Sequence, residues 1–275
     1  MRTVAALPGV AAGSTPQRRR SLLRLGRLGP PVVLLAAAAG AWQAITSALH
    51  VDPTVLPGPV LVVTATWAER AQLWPAMVTT TLEALLGLAL SVAVALPLAV
   101  SIDWWRPVRS GVYPLIVASQ TLPVIVLAPL VVIWFGFGLG PKIALVALFS
   151  FFPIAVGAVQ GLGSADPEVL DLLRTMRATR RQLLTKVKLP CALPQVFTGL
   201  EISVTYAFTS AIVAEWVGAT QGLGVFMTAA ANDAPRQTDV VLGATVVTAL
   251  LTVALFGVVA ALQRAAMPWR SRGPA

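Results

Sequence analysis

Apolar runs of about twenty residues alternate with short polar breaks along this chain, and six of them are long enough to cross a bilayer as helices. They are Pro30 to Leu49, Ala76 to Ile102, Val112 to Phe135, Ile143 to Leu162, Gln195 to Val217 and Val240 to Leu262. The pattern predicts an all-α membrane protein of about six transmembrane helices. The third run is interrupted by Pro114, Pro123 and Pro129. Proline is tolerated in a span where neighbouring helices satisfy the freed carbonyls, so this run is expected to face protein more than lipid. Between the first two runs, Pro59 to Trp74 is expected to form an amphipathic helix on the outer surface. No internal repeat is visible.

One polar break differs from the rest. Asp166 to Pro194 carries Arg174, Arg177, Arg180, Arg181, Lys186 and Lys188. Hydrocarbon cannot solvate such a block, so it lies outside the bilayer. It also carries helix signals. Asp166 before Pro167 reads as an N-cap with proline at the first helical position. Thr179 with Gln182 three residues later reads as a capping box. Two short helices are therefore expected to meet at Arg177 and Ala178, making a structured basic surface on which a cytoplasmic protein could dock. The bland alternative is a solvated loop that only sets topology.

Composition agrees with a membrane protein. The chain of 275 residues is 57% hydrophobic and 11% charged, with mean hydropathy +0.80, whereas a soluble domain is about one quarter charged. A pI near 11.2 would suggest nucleic acid in a soluble protein, but in a helical membrane protein basic loops set orientation, and no nucleic-acid partner is expected. With the N-terminus inside, all of the 20 basic residues except Arg70, Lys142 and Arg236 fall on the cytoplasmic side. A multi-pass protein of a bacterial-type plasma (inner) membrane is expected, with both termini cytoplasmic. Residues 1–29 read as a basic, disordered tail, 30–264 as the transmembrane domain and 265–275 as a second cytoplasmic tail. The first run is preceded by a long basic segment and followed by no clean cleavage site, so it reads as a retained anchor.

Catalytic signals are absent. No G-x-x-x-x-G-K-[ST] phosphate loop occurs, and the glycines of Gly136 to Lys142 read as a tight turn. His50 is the single histidine, so neither a His-based metal site nor a His-containing triad can be built. Cys191 is the single cysteine and forms no internal disulfide. No metal and no cofactor are expected in this chain, and it is not expected to be an enzyme.

The charged block resembles the EAA loop of permease subunits of ABC importers: E-A-A, three residues, Gly, nine residues, then I-x-L-P. Here the register is Asp171-Leu172-Leu173, three residues, Arg177, nine residues, then Val187-Lys188-Leu189-Pro190. The similarity runs from about Thr79 to Trp269. PLVVIWFGFG, FFPIAVGAVQGL and AEWVGATQGLG look like the branch that imports sulfonates, taurine, nitrate, and pyrimidine or flavin vitamin precursors. The resemblance implies a type I ABC importer permease fold and a coupling loop bearing Asp171, Arg174, Arg177, Ala178, Arg180, Leu189 and Pro190. It implies four kinds of partner: a cytoplasmic ATP-binding subunit that holds the ATP, an external solute-binding protein, a second permease forming a homodimer, and the lipid bilayer. Asp171 stands where the motif has glutamate, and Arg177 where it has the turn glycine. A left-handed backbone at Arg177 would cost roughly 1 kcal/mol, so either the turn is built differently or the chain bears the strain.

For the substrate path, Glu201, Thr205, Phe208, Ile212 and Glu215 fall on one helical face about 21 Å long. Intramembrane carboxylates are costly and usually face protein or water. Glu201, Thr205 and Glu215, with Gln120 beside Pro123, are therefore candidate path residues. The alternative is that Glu215 reaches the outer interface and Glu201 the inner one near Lys188. Two other functions stay open: an ion-coupled secondary transporter using Glu201 and Glu215, and an intramembrane enzyme using the same pair. The second is disfavoured because acid–base carboxylates work within about 10 Å of each other.

Overall fold

The computed structural model describes residues 29–269 apart from 120, 122 and 234–236. The candidate Gln120 lies outside the described residues, as do Arg236, the basic segment 1–28 and residues 270–275. Regular structure among the described residues is helical throughout. The chain divides into a unit ending at Val51 and a second beginning at Asp52.

The first unit contributes α1 (Gly29–Ala48). Its 20 residues rise about 30 Å, the thickness of a hydrocarbon core. The Thr46 hydroxyl donates to the carbonyls of Trp42 and Gln43, and Ser47 to Gln43, so both hydroxyls are turned back onto their own helix.

The second unit begins with α2 (Pro59–Ala68) and α3 (Arg70–Trp104). The helix expected at Pro59 to Trp74 thus ends at Ala68, and Trp74 belongs to α3. Nor is α2 amphipathic. PVLVVTATWA has no charged residue, and its Val62 is buried. The Arg70 guanidinium at the joint lies 5.2 Å from the Trp67 ring centroid.

The third expected span is divided. α4 (Arg106–Ser119) and α5 (Val124–Phe135) are separate helices, with Thr121 in a turn between them. Pro123 is extended (φ −70°, ψ 128°) and forms the N-cap of α5. Proline disfavours helical geometry in the residue before it and cannot donate to the turn behind it, so the helix stops there. Pro114 and Pro129 are accommodated inside their helices.

Beyond a glycine-rich turn come α6 (Leu139–Leu162), α7 (Pro167–Thr175) and α8 (Arg180–Leu183). A π-helical segment, Leu184–Lys188, joins α8 to α9 (Leu189–Trp216). Two elements remain, α10 (Leu223–Asn232) and α11 (Thr238–Ala266). Among the described residues, four helical stretches are long and apolar enough to cross a membrane: α3, α6, Arg180–Trp216 and α11.

The core is α6 packed between α3 and α9. Lipid offers no hydrophobic drive for helix association, so close backbone approach and hydrogen bonds must supply it. Both are present. A Cβ on Gly157 of α6 would lie 2.5 Å from the Gln195 carbonyl oxygen, and one on Gly199 of α9 would strike the Pro153 carbonyl. The Ser203 hydroxyl donates to the Ser150 carbonyl at 2.6 Å, and Ser91 of α3 donates to the Ala147 carbonyl at 2.7 Å. All three serines are fully buried. Around them Ala84, Val146, Ile154, Val204, Ala207 and Phe208 form the apolar core.

Candidate coupling loop and substrate path

Both predicted caps of the charged block are formed. Asp166 Oδ1 accepts the Glu168 N–H at 2.9 Å, which satisfies a donor that the start of α7 leaves unpaired. At α8, the Thr179 N–H donates to Gln182 Oε1 at 2.8 Å while the Gln182 N–H donates back to Thr179 Oγ1 at 3.3 Å. Between the caps, the Arg177 N–H donates to the Arg174 carbonyl (2.9 Å) and the Ala178 N–H to the Leu173 carbonyl (3.0 Å). That pair of bonds is a Schellman termination, which needs a left-handed residue at its centre. Arg177 is that residue, with φ +61°. The chain therefore bears the strain at the position where the EAA motif has glycine.

The loop has a small core of its own. Ala165, Leu170 and Leu183 are buried there, with Leu173, Ala178 and Val187 packed against them. What α7 leaves outside is equally ordered. Val169, Leu172 and Met176, spaced i, i+3, i+7, are 42%, 61% and 71% exposed. They make an apolar stripe on one helical face, beside an exposed Asp171–Arg174 pair at 2.6 Å. Arg177, Arg180 and Arg181 are also exposed. Reading the loop by charge missed this stripe, although its helical spacing was available in the sequence.

The second loop helix is not short. It continues through the π segment into α9, so loop and span are one rod. The Leu189 N–H donates to the Leu184 carbonyl, five residues back. Pro190 follows directly and cannot supply the next donor, which accounts for a widened turn here. Leu189 is exposed and Pro190 half-buried. From the widened turn Lys188 reaches Asp103 at the end of α3, with Nζ 2.7 and 2.8 Å from the two carboxylate oxygens.

The face proposed for the substrate path separates into two environments. Glu201 is half-buried and Thr205 exposed, whereas Phe208 and Glu215 are 2% and 1% exposed. Thr121, next to the undescribed Gln120, is exposed and donates to the Ala118 carbonyl at 2.8 Å. An open cleft of about 260 Å³ lies between α6 and α9, and neither Glu201 nor Thr205 is among its lining residues. Gln160, Gln195, Thr198, Ile202 and Tyr206 are among its lining residues. Gln195 Oε1 is buried without a hydrogen-bond partner among the described residues. Sequence reasoning passed over this wall, though Tyr206 is one of two tyrosines in the chain and glutamines are costly in a span.

Glu215 sits elsewhere and does something definite. Its Oε1 accepts the Thr80 hydroxyl and its Oε2 the Gly224 N–H, both at 2.6 Å. Thr80 Oγ1 in turn accepts the Leu223 N–H at 2.8 Å. The carboxylate therefore caps the N-terminus of α10, where unpaired N–H groups and the helix dipole favour negative charge. Gly222, at φ +130°, places its backbone against that carboxyl group, leaving no room for a Cβ. Nearby, Glu83 Oε1 pairs with Lys142 Nζ at 2.7 Å, with side chains 1% and 14% exposed.

Residues 87–270 match the family described as the inner membrane component of binding-protein-dependent transport systems. The chain is 37% identical over 234 residues to the formylaminopyrimidine transport permease ThiX of Halalkalibacterium halodurans, covering 84% of this chain and 92% of that one. It is 33% identical to the riboflavin transport permease RibX of Chloroflexus aurantiacus, over 92% of this chain and 95% of the other. It is also 33% identical to the taurine transport permease TauC of Escherichia coli, over 92% of each. Among solved structures, an amino acid ABC transporter chain superposes with TM-score 0.61 at 16% identity, covering 73% of this chain and 97% of that chain. The MetNI methionine transporter gives 0.56 at 21%, covering 74% and 98%.

Proposed function

From its membership of the family of inner-membrane permease components of binding-protein-dependent transport systems, we infer that this chain forms the solute path of an ABC importer and carries no ATPase site of its own. A separate cytoplasmic ATPase seats on the loop 166–194. An external solute-binding protein delivers the solute, and a second copy of the chain completes the path. The loop and both termini face the cytoplasm of a bacterial-type inner membrane.

The observation that carries this reading is the exposed face of α7. Val169, Leu172 and Met176 are presented to solvent by a helix that is capped, turned by a Schellman bond pair and braced by its own core. An apolar stripe on a rigid polar support is what a partner's groove recognises. Asp171, Arg174, Arg177 and Arg180 surround it with charges of both signs, which fix register more than affinity. Ala178 closes the turn, and Leu189 and Pro190 join it to the span. ATP-driven movement of the loop is then passed to α9 without a flexible joint.

Within this reading the solute is a neutral or weakly charged nitrogen heterocycle, such as a thiamine pyrimidine precursor or riboflavin, in preference to a sulfonate or nitrate anion. The open cleft between α6 and α9 offers amides and hydroxyls from Gln160, Gln195, Thr198 and Tyr206. None of its lining residues is charged, Glu201 elsewhere on α9 would repel anions, and no lysine or arginine lies between Ile143 and Arg174 or between Leu189 and Val217. Similarity to the pyrimidine and riboflavin permeases supports this reading, and similarity to the taurine permease supports the sulfonate alternative.

Asp171→Lys tests the docking role. Transport and permease-stimulated ATP hydrolysis are expected to fall while membrane insertion stays intact; full stimulation at normal expression would refute docking at this face. Orientation is tested in a Cys191→Ser background. A cysteine at Thr54 should react with an impermeant thiol reagent in intact cells, and one at Thr185 only after permeabilisation. Ligand retention by the binding protein encoded alongside the chain, assayed with a pyrimidine, a flavin and taurine, tests the substrate class.

A further inference from the structure

At the loop end of the core, a recess of about 590 Å³ opens between the end of α3 and the coupling loop. One wall is Trp104, Trp105 and Leu184; the other presents Arg174, Arg180 and Lys188. Asp103, also in the lining, is engaged with Lys188 through both oxygens, and Arg174 is bound to the exposed Asp171. Arg180 makes no ion pair among the described residues. The recess thus joins aromatic surface to an excess of positive charge.

Its depth follows from the chain. Trp104 and Trp105 are 37% and 56% exposed and end the long apolar helix α3. Tryptophans concentrate at the level of lipid headgroups. Guanidinium groups from α7 and α8 line the same recess as these rings, on a loop whose own caps and core fix its shape. We propose that this recess binds the headgroup of an anionic phospholipid from the adjoining leaflet. Arg180 and Arg174 would meet the phosphate, and Trp104 and Trp105 would lie against the glycerol and upper acyl chains. Basic pockets beside membrane helices on the cytoplasmic face take such headgroups, and Arg suits phosphate through its planar fork of donors. A protein groove seated on the loop would draw its affinity from the apolar stripe of α7, with Arg174 and Arg180 contributing only to its register. The proposal needs only that the loop meets the membrane surface, so it stands whether or not the ATPase docks as described above.

The test uses the permease purified with its ATPase, stripped of lipid in detergent, then given phosphatidylglycerol or phosphatidylcholine of matched chains. Retained lipid is counted by native mass spectrometry. With a basic residue near an anionic surface contributing about fivefold, two arginines predict a preference of roughly 25-fold for phosphatidylglycerol. Arg180→Gln and Arg174→Gln should each reduce it by about fivefold. Lys186→Gln, on the same loop but outside the recess, should leave it unchanged. Equal retention of the two lipids, or an unaltered preference in Arg180→Gln, overturns the proposal. Displacement of phosphatidylglycerol by millimolar inorganic phosphate would identify a free-anion site and overturn it as well. So would failure of the ATPase-bound complex to hold any lipid, since the recess would then belong to the protein interface.

Discussion

Glu215 and Glu83 sit at one end of the α3–α6–α9 core, and Asp103 and Lys188 at the other, about 30 Å along α3 from Glu83. At the first end the charges are sealed inside and every strong contact joins a different helix: Glu215 to α3 and α10, Glu83 to α6. At the second end the Asp103–Lys188 pair is half-buried, with side chains 14% and 21% exposed, and the remaining charges of the loop face outward. The contrast teaches where this protein is fixed and where it can move. Buried carboxylates bound across helices lock them together, because separating them strands a charge in a poor solvent, even though only Oε1 of Glu83 is engaged among the described residues. A pair still partly open to solvent, on a widened turn, can break and re-form at a smaller cost, which is what a coupling joint would require.

The largest expected effect is at Glu215. Glu215→Ala removes the cap of α10, leaves the Gly224 N–H without its acceptor and the Thr80 hydroxyl with only the Ala76 carbonyl, with an expected loss of about 3–5 kcal/mol for two bonds to a buried carboxylate. Thermal unfolding of the detergent-solubilised protein measures it. A loss below about 1 kcal/mol, the range of surface pairs, would break the comparison at its strongest point.

Lys142→Met comes next, with a loss of about 3 kcal/mol, since it strands Glu83 at 1% side-chain exposure. The double variant Glu83→Gln with Lys142→Met should recover part of that loss, as the stranded charge is gone. If the double variant is as unstable as the sum of the single ones, the two side chains do not act as a pair.

Asp103→Asn should cost only about 1 kcal/mol in stability after allowance for solvent screening. It should nevertheless weaken the link between ATP hydrolysis and transport, because Lys188 is where the loop's rod meets α3. The charge-swapped pair Asp103→Lys with Lys188→Asp should restore coupling if attraction is what matters. Unaltered stoichiometry of ATP used per solute in Asp103→Asn would show that the joint carries no force.

The same contrast separates what was legible in the sequence from what was not. Local signals survived intact: the Asp166 cap, the Thr179–Gln182 box and the turn at Arg177 each depend on residues within five positions of one another. The apolar runs located α3, α6, α9 and α11 to within a few residues at most ends. Periodicity failed where a partner is remote. It placed Glu215 on a face with Glu201, but the Thr80 hydroxyl that engages it comes from 135 residues away, and no pattern along α9 announces that. It also ran Val112 to Phe135 together as one span, since counting apolar residues does not register that Pro123 halts the helix. The continuity of the loop into α9 was hidden as well: the charged block was closed at Pro194 and the span begun at Gln195, yet Pro190 falls in the first turn of α9 and Pro194 inside it.

Arg177 offers the finest test, and the smallest effect. Its φ of +61° costs a residue with a side chain roughly 1 kcal/mol, which glycine would relieve. Glycine also gives the unfolded chain more freedom, a penalty of about 0.5–1 kcal/mol. The two nearly cancel, so Arg177→Gly should change stability by under about 0.5 kcal/mol, and removing one exposed arginine from a loop with five other bases should not alter topology. Affinity for the ATPase should be unchanged or slightly improved. The rival is that arginine was retained here as a contact, its charge pairing with an acid on the ATPase surface. Truncating a buried, hydrogen-bonded pair of that kind costs about 2–5 kcal/mol, far outside the strain estimate. A pull-down titration of the two forms separates them. A tenfold or greater loss of affinity in Arg177→Gly would turn the strained turn into a recognition residue, and it would place a strong charge contact at the end of the molecule where this comparison allows only weak ones.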